Sequence, residues 1–488
     1  MMTSRHITSI NDLTNHEIES IFSLADRYLA DLGDQRSTRH ARSRKSTITH
    51  RIGQSGHSGS GKILANLFYE PSTRTRLSFE SAMLRLGGGN ITSADPGTSS
   101  AAKGESLADT VRVVSSYADA IVIRHPRDGA AKLAAQYASI PVINGGDGGH
   151  EHPTQTLCDL YTLYRKKEKR DLKNLSHLNV VISGDLKGSR TVHSFVYALA
   201  RFKARIQFIP GAKGMELPSH VDWRLRNEFH SRPLKESTPD GGQNIDAFYV
   251  TAEQSHQPSL ITPDVEVNIK IKKGIDVVYV TRFQKERWVE HNQDYMKVDS
   301  AFLKDSKYKH TSVLHPLPRV GELDISLDRN PRAAYFQQAS YGVPVRMALI
   351  ASLLGFEGQH TLDQFDAGFR ASPHPVYDQP HGVGIQCINK NCIVHDALER
   401  PHTSNKHYLI YSAQPRLRCF YCETDIAHFF IGQKKTRHYI ASELYRGGSA
   451  KRFKDIALFR DETEAKEAGY SSGKIPGKAQ DADRGSKN

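Results

Sequence analysis

A chain of 488 residues is longer than one hydrophobic core serves, and its length points to two to four domains. With 38% apolar residues it can bury such cores, yet it has no apolar run of membrane-spanning length and no apolar signal segment in Met1 to Ile10, so a soluble cytoplasmic protein is expected. The formal charge of +13 raises nucleic-acid binding as a class, but the charge is peripheral: residues 31–62 hold seven basic and two acidic side chains without aromatics, and a second basic excess lies in 383–488, so nucleic acid is the lesser reading.

In chain order, residues 62–69 (KILANLFY) read as a buried strand, and Leu77 to Leu86 as a helix that stops at Gly87-Gly88-Gly89. Further strands are expected at Ala120–Arg124, Val180–Gly184, Ala247–Thr251, Val277–Thr281 and Val313–Leu314, with an apolar helix from Val343 to Leu354. Strands alternating with helices predict an α/β protein with two doubly wound parallel-sheet domains. The first takes residues 1–155, completed by the helix at 343–357, and the second takes 156–340. Residues 358–382, rich in Gly, His, Pro and Asp, read as a linker; 383–470 read as a small β-rich domain and 471–488 as a disordered tail.

Between the first strand and its helix stands Pro71-Ser72-Thr73-Arg74-Thr75-Arg76. It sets backbone N–H groups, three hydroxyls and guanidinium groups at the positive end of a helix dipole, an arrangement that holds a phosphate. Helix capping explains Pro71 and Ser72 equally well, but it does not call for two arginines beside three hydroxyls. Arg124-His125-Pro126 follows a strand, and Glu151-His152-Pro153-Thr154-Gln155 follows the Gly-rich turn 145–149. Loops at the carboxyl ends of parallel strands are where open α/β sheets bind ligands. Asp185 to Thr191 and Thr281 to Arg287 each place an arginine after a strand, and paired guanidinium groups suit a dicarboxylate.

Four of the five cysteines form Cys387-x4-Cys392 and Cys419-x2-Cys422, the spacing of a structural four-thiolate zinc site in a ribbon; an iron–sulfur cluster or a redox pair are the alternatives. Cys158 reads as a core thiol. All the catalytic motifs end before residue 340, so the tail is expected to be separable from the chemistry.

Phe68 to Leu86, with Ser-Thr-Arg-Thr-Arg, resembles the carbamoyl-phosphate signature of the aspartate and ornithine carbamoyltransferases, and further motifs recur in that family's order over roughly residues 5–357. The resemblance implies that Ser72, Thr73, Arg74 and Thr75 hold the phosphate and that Thr75, Arg124 and His152 polarise the carbonyl. It further implies that Gln155 orients the attacking amine. Ser99 and Lys103 match a loop that these enzymes send into a neighbouring subunit's site, which implies a homotrimer. Arg190, Arg282 and Gln284 match positions that hold the carboxylates of aspartate, with Pro316 and Leu317 contacting its amine. His315-Pro316-Leu317-Pro318 stands where the ornithine enzymes have His-Cys-Leu-Pro, which favours aspartate over ornithine.

Three departures stand out. Gly188 replaces a frequent aromatic, a change expected to bear on aspartate affinity; 31–61 is long and basic; and 211–272 is expanded. The cysteine tail resembles the zinc domain of the regulatory chain of some aspartate carbamoyltransferases. About 25 residues before it leave no room for a nucleotide-binding domain, so no nucleotide response is expected through the tail.

Overall fold

The computed structural model describes residues 5–38, 59–94, 100–166, 171–229, 248–249, 274–284, 295, 297–356, 376–379, 384–410, 415–426, 428–445 and 456–473. After helix α1 (Asn15–Thr38), the first unit alternates β1 (Ile63–Phe68), α2 (Thr73–Arg85), β2 (Gly89–Ser93), α3 (Leu107–Val114), β3 (Ala120–His125), α4 (Ala130–Tyr137), β4 (Val142–Asp147) and α5 (Pro153–Lys166). Its four strands pair in parallel in the order β2-β1-β3-β4.

The second unit has β5 (Asn179–Gly184), α6 (Arg190–Arg201), β6 (Arg205–Pro210), α7 (Ser219–Asn227), β7 (Phe248–Tyr249), β8 (Val277–Val280) and β9 (Ser312–Leu314). These strands are also parallel, in the order β7-β6-β5-β8-β9. Helices α8 (Tyr335–Ser340) and α9 (Gly342–Leu353) return the chain to the first unit, where α9 packs on α1 and α2. Strands such as Asn179–Gly184 are buried at every residue, which is why Val180, Val181 and Ile182 follow one another without polar alternation.

One hydrophobic cluster runs through both units and includes Leu64, Phe79, Leu157, Tyr161, Val180, Phe195 and Ile350. The other face of the first sheet offers Ala65, Leu67, Ile121 and Ile123, and what covers it is partly the tail: Cys387, Cys392, Tyr421 and Cys422 belong to the same cluster. The tail itself is two sheets, one antiparallel and one mixed. β10 (Val376–Gln379), β11 (Asn405–Ile410), β12 (Arg416–Cys419) and β13 (Asp425–Ile426) form one in that order. β14 (Phe430–Gln433), β15 (His438–Ala441), β16 (Ile456–Phe459) and β17 (Ser471–Ser472), with helix α10 (Glu462–Glu467), form the other, in which β15 and β17 pair in parallel. Leu409, Leu417, Phe429, Ile431 and Leu458 join them in one core.

The chain differs from its sequence reading in four places. Helix α2 begins at Thr73, so the Ser-Thr-Arg motif is its first turn and not a separate connection. Residues 145–147 are the end of strand β4, because bonds to β3 continue to the His125–Asp147 pair, and the turn is Gly148 to His150. Val376–Gln379, inside the expected linker, pairs with β11, and Ser471–Ser472, inside the expected tail, pairs with β15. Residues 39–58, most of 230–273 and 474–488 lie outside the described residues, and with them most of the basic patch, most of the expansion and the rest of the tail. Among the described residues no helix is long and apolar enough to cross a membrane.

Candidate functional site

The carboxyl ends of β1, β3, β4, β5, β8 and β9 face one cleft of about 1100 Å³ between the two units. Ser72, Thr73, Arg74 and Thr75 line it from the start of α2. Ser72 is the N-cap with φ −160°, yet its hydroxyl makes no capping bond, so the first-turn amides of α2 are not served by it. Arg74 makes no ion pair among the described residues. Burial and the neighbouring Arg282 push its pKa below the ordinary range. Two guanidinium groups brought together at the start of a helix favour a bound anion.

Arg124 and Arg190 are arranged differently. Both donate to Glu70: Arg124 Nη2 to Oε1 at 2.8 Å, and Arg190 Nη2 and Nη1 to Oε1 and Oε2 at 2.7 and 3.0 Å. Arg124 Nη1 also donates to the Gly145 carbonyl at 3.1 Å and Arg190 Nη1 to that of Gly148 at 2.9 Å. A Cβ on Gly146, whose φ is +113°, would lie 2.9 Å from Arg190 Nε, so glycine is what lets both arginines lie along the strand edge.

His152 is buried, and its backbone N–H donates to Ser194 Oγ at 2.8 Å. Burial, then Arg124, Arg190 and Arg346, hold the His152 pKa well below its ordinary value, so the ring is neutral and carries one N–H. Gln155 Nε2 donates to Asp159 Oδ1 at 2.7 Å, and Tyr279 and Gln338 donate to the same carboxylate; burial still raises Asp159 to about 6.

On the opposite wall, Asp185 ties two loops together, accepting from the Gly188 N–H at 2.7 Å and the Gln284 N–H at 3.2 Å. A Cβ at Gly188 would stand 2.7 Å from Asp185 Oδ2, so the missing aromatic has a local reason: a side chain there would displace the tie. Arg282, Gln284, Pro316 and Leu317 line this wall. Leu317 holds a left-handed φ of +55°, with its N–H donated to His315 Nδ1 at 2.8 Å, while His315 Nε2 bonds Glu322 at 2.7 Å.

The cleft thus gathers every expected site residue of the chain except the Ser99–Lys103 pair and the cysteines. Lys103 sits exposed at the end of the 3-10 turn Ser100–Lys103 and does not line its own chain's cleft, and Ser99 lies outside the described residues. Sequence reading missed Glu70, Arg346, Asp128 and Asn391, all cleft-lining. Glu70 adjoins the phosphate motif, and Arg346 is the single charge in an otherwise apolar helix, so both carried a signal. Asp128 and Asn391 carried none, since only folding brings Asn391 Nδ2 to 2.9 Å from Asp128 Oδ1.

The Sγ atoms of Cys387 and Cys422 lie 3.4 Å apart, those of Cys392 and Cys419 3.8 Å apart, and all four fall within 4.8 Å of one another. Ligands about 2.3 Å from a tetrahedral metal lie ~3.8 Å apart, so the four thiols fit a closed metal shell. The tail docks by ion pairs: Glu423 with Arg224 and, at 3.7 Å, with Lys132; Arg418 with Glu228 at 2.5 Å; Arg127 with Asp396 at 3.2 Å. Gly129, at φ +84°, allows Tyr421 to approach so closely that a Cβ would sit 2.7 Å from it. His150, Glu151 and Glu423 also converge, but Arg224 and Lys132 already supply the positive charge there.

Two parallel α/β units facing each other across an arginine-rich cleft, one opening on a helix N-terminus, define an α/β protein built to hold anionic ligands between its two sheets. The chain belongs to the aspartate/ornithine carbamoyltransferase family: residues 5–165 match the carbamoyl-P binding domain of that family and 176–353 its Asp/Orn binding domain. Residues 378–431 match the metal binding domain of the aspartate carbamoyltransferase regulatory chain.

The aspartate carbamoyltransferase catalytic subunit of Clostridium kluyveri is 40% identical over 362 residues, covering 73% of this chain and all of that one. That of Methanocaldococcus jannaschii is 45% identical over 300 residues, covering 60% of this chain and 85% of that one. Among solved structures, the catalytic subunit of M. jannaschii aspartate transcarbamoylase is 38% identical with a TM-score of 0.53, covering 72% of this chain and 99% of that one. The Trypanosoma cruzi enzyme in complex with carbamoyl phosphate and aspartate is 30% identical with a TM-score of 0.53, covering 72% and 96%.

Proposed function

We propose that this chain is an aspartate carbamoyltransferase, forming N-carbamoyl-L-aspartate and phosphate from carbamoyl phosphate and L-aspartate, an early step of pyrimidine biosynthesis in the cytoplasm. The observation that carries this reading is that a single cleft gathers an anion-binding helix start, a neutral imidazole, and Arg190, Arg282 and Gln284 on the facing wall. Ser72, Thr73, Arg74 and Thr75 hold the phosphate, and Arg74 balances its charge as it departs. Thr75, Arg124 and a neutral His152 donate to the carbonyl oxygen as the amine adds to its carbon. Gln155, with the Pro316 and Leu317 carbonyls, orients that amine. The C–N bond forms, the tetrahedral centre collapses with loss of phosphate, and the amine proton leaves with the departing phosphate. Rate comes from orientation and preset charge, without a covalent enzyme intermediate.

Lys103, exposed and away from its own cleft, completes with Ser99 the site of a neighbouring subunit in a homotrimer. The four cysteines hold one structural zinc, which supplies a tetrahedral anchor for the tail. The domain division follows the two parallel sheets and the cysteine tail, with the chain crossing between units after α5, about ten residues beyond the expected boundary at 155 because that boundary falls inside the helix, and again near residue 340.

Carbamoyl phosphate offered with aspartate or with ornithine, followed by product analysis, tests the assignment; carbamoyl ornithine as the main product overturns it. Hybrids of inactive Lys103→Ala and Arg74→Ala subunits should regain activity, because some of their sites contain neither lesion. Absence of recovery after verified subunit exchange removes the shared site.

A further inference from the structure

Helix α6 turns three polar side chains, spaced i, i+3 and i+4, toward the loop that carries His152. Arg190 Nη1 donates to the Gly148 carbonyl at 2.9 Å, His193 Nδ1 faces the His150 carbonyl at 3.3 Å, and Ser194 Oγ accepts from the His152 N–H at 2.8 Å. His193 also reaches the acceptor side, its Nε2 standing 2.9 Å from the carbonyl oxygen of Leu186 in the loop after β5. It is 4% exposed and does not line the cleft, so it stands behind the wall rather than in the site.

The groups facing the ring nitrogens, the carbonyls of Leu186 on one side and of Gly149 and His150 on the other, only accept, and a neutral imidazole has one N–H. A single proton therefore serves two loops. The shorter contact assigns that proton to Nε2 and the Leu186 carbonyl, which leaves a lone pair against the His150 carbonyl. The ring of His220, 6.4 Å away between centroids, is the neighbouring aromatic from α7 and offers no carboxylate that would hold a second proton in place.

We propose that His193 is a positioning residue shared by the acceptor loop 185–190 and the loop 148–152, so that its hold on one loop is exchanged against its hold on the other. The two tautomers hold alternate loops: with Nε2 protonated the acceptor loop is fixed, and with Nδ1 protonated the His152 loop is fixed. The proposal rests on the aspartate-transfer reading above, since its effects are on that reaction.

The test uses the full chain with three variants: His193→Phe, which keeps a ring without donors; His193→Gln, whose amide N–H lies near the place of Nε2; and His193→Asn, whose amide lies near that of Nδ1. His193→Phe should raise the aspartate KM about threefold and lower kcat about threefold, together about the tenfold that one buried hydrogen bond supplies, with the carbamoyl phosphate KM near the wild-type value. His193→Gln should restore the aspartate KM better than His193→Asn does. Should His193→Phe not fold, the Gln and Asn pair decides by itself, and equal aspartate KM values in the two overturn the proposal. Unchanged kinetics in a folded His193→Phe, or KM values for both substrates rising together, also overturn it and leave His193 as packing. A wild-type chain that makes no carbamoyl aspartate defeats the underlying reading instead, whereas an active wild type with unaltered variants defeats this proposal alone.

Discussion

The two walls of the cleft reach the same end, a concentration of positive charge, by different construction. The donor wall relies on the start of one helix: Arg74 stands there without an internal carboxylate partner among the described residues, beside first-turn amides that Ser72 does not cap. On the acceptor wall the loops are held before any ligand arrives, by Asp185 between Gly188 and Gln284 and by Glu70 on Arg190. A helix terminus needs little support because its amides are fixed by the helix itself, while loops need ties to keep their side chains in place. The donor wall is accordingly expected to show loss of chemistry on mutation, and the acceptor wall loss of affinity.

The largest effect should come from the donor wall. Arg74→Ala removes the charge opposite the departing phosphate and should lower kcat on the order of 10³-fold with the fold intact, as steady-state rates and circular dichroism would establish. On the acceptor wall Arg282→Ala should raise the aspartate KM roughly 10- to 100-fold, the range for a hydrogen bond to a charged group, with little change for carbamoyl phosphate. Equal weakening toward both substrates would erase the distinction between the walls.

The tail adds a third region to the comparison. Its sequence reads as an appended module, but Cys387, Cys392 and Cys422 share a hydrophobic cluster with Ile121, Ile123 and Leu133 of the first unit. Metal chelation, or Cys419→Ser, should therefore lower the thermal midpoint of the whole chain by about 5 °C or more. Calorimetry that resolves two transitions, with the larger one unmoved, would show the tail to be independent after all.

The smallest effect at neutral pH concerns His125, which lies where β3 meets the tail. Burial lowers its pKa to about 4, against partial opposition from Asp396 and Asp147. Below its ordinary pKa of 6.5 the unfolded chain binds a proton that the folded chain refuses until about pH 4, so stability is lost as pH falls across that window. The loss is on the order of 3 kcal/mol, and in His125→Gln the slope between pH 6.5 and 4 should be correspondingly flatter in urea titrations.

The sequence by itself determined the strands that are buried on both faces, because a parallel sheet covered by helices requires consecutive apolar residues such as Val180, Val181 and Ile182. It also determined the groups that local geometry brings together: Ser72 to Thr75 are contiguous at a helix start, and the cysteine pairs are spaced for one tetrahedral shell. Gly146 and Gly188 are visible as letters but not as reasons, since the atoms they make room for, Arg190 Nε and Asp185 Oδ2, come from other loops or from a turn that only folding closes. Only the tertiary structure decided that Glu70 would engage both Arg124 and Arg190, that Asn391 of the tail would join the cleft wall, and that His193 would stand between two loops. Those contacts join residues from 43 to 263 positions apart or set two loops around one ring; nothing in local propensity encodes them, because their partners meet only when two sheets and a tail close on shared cores.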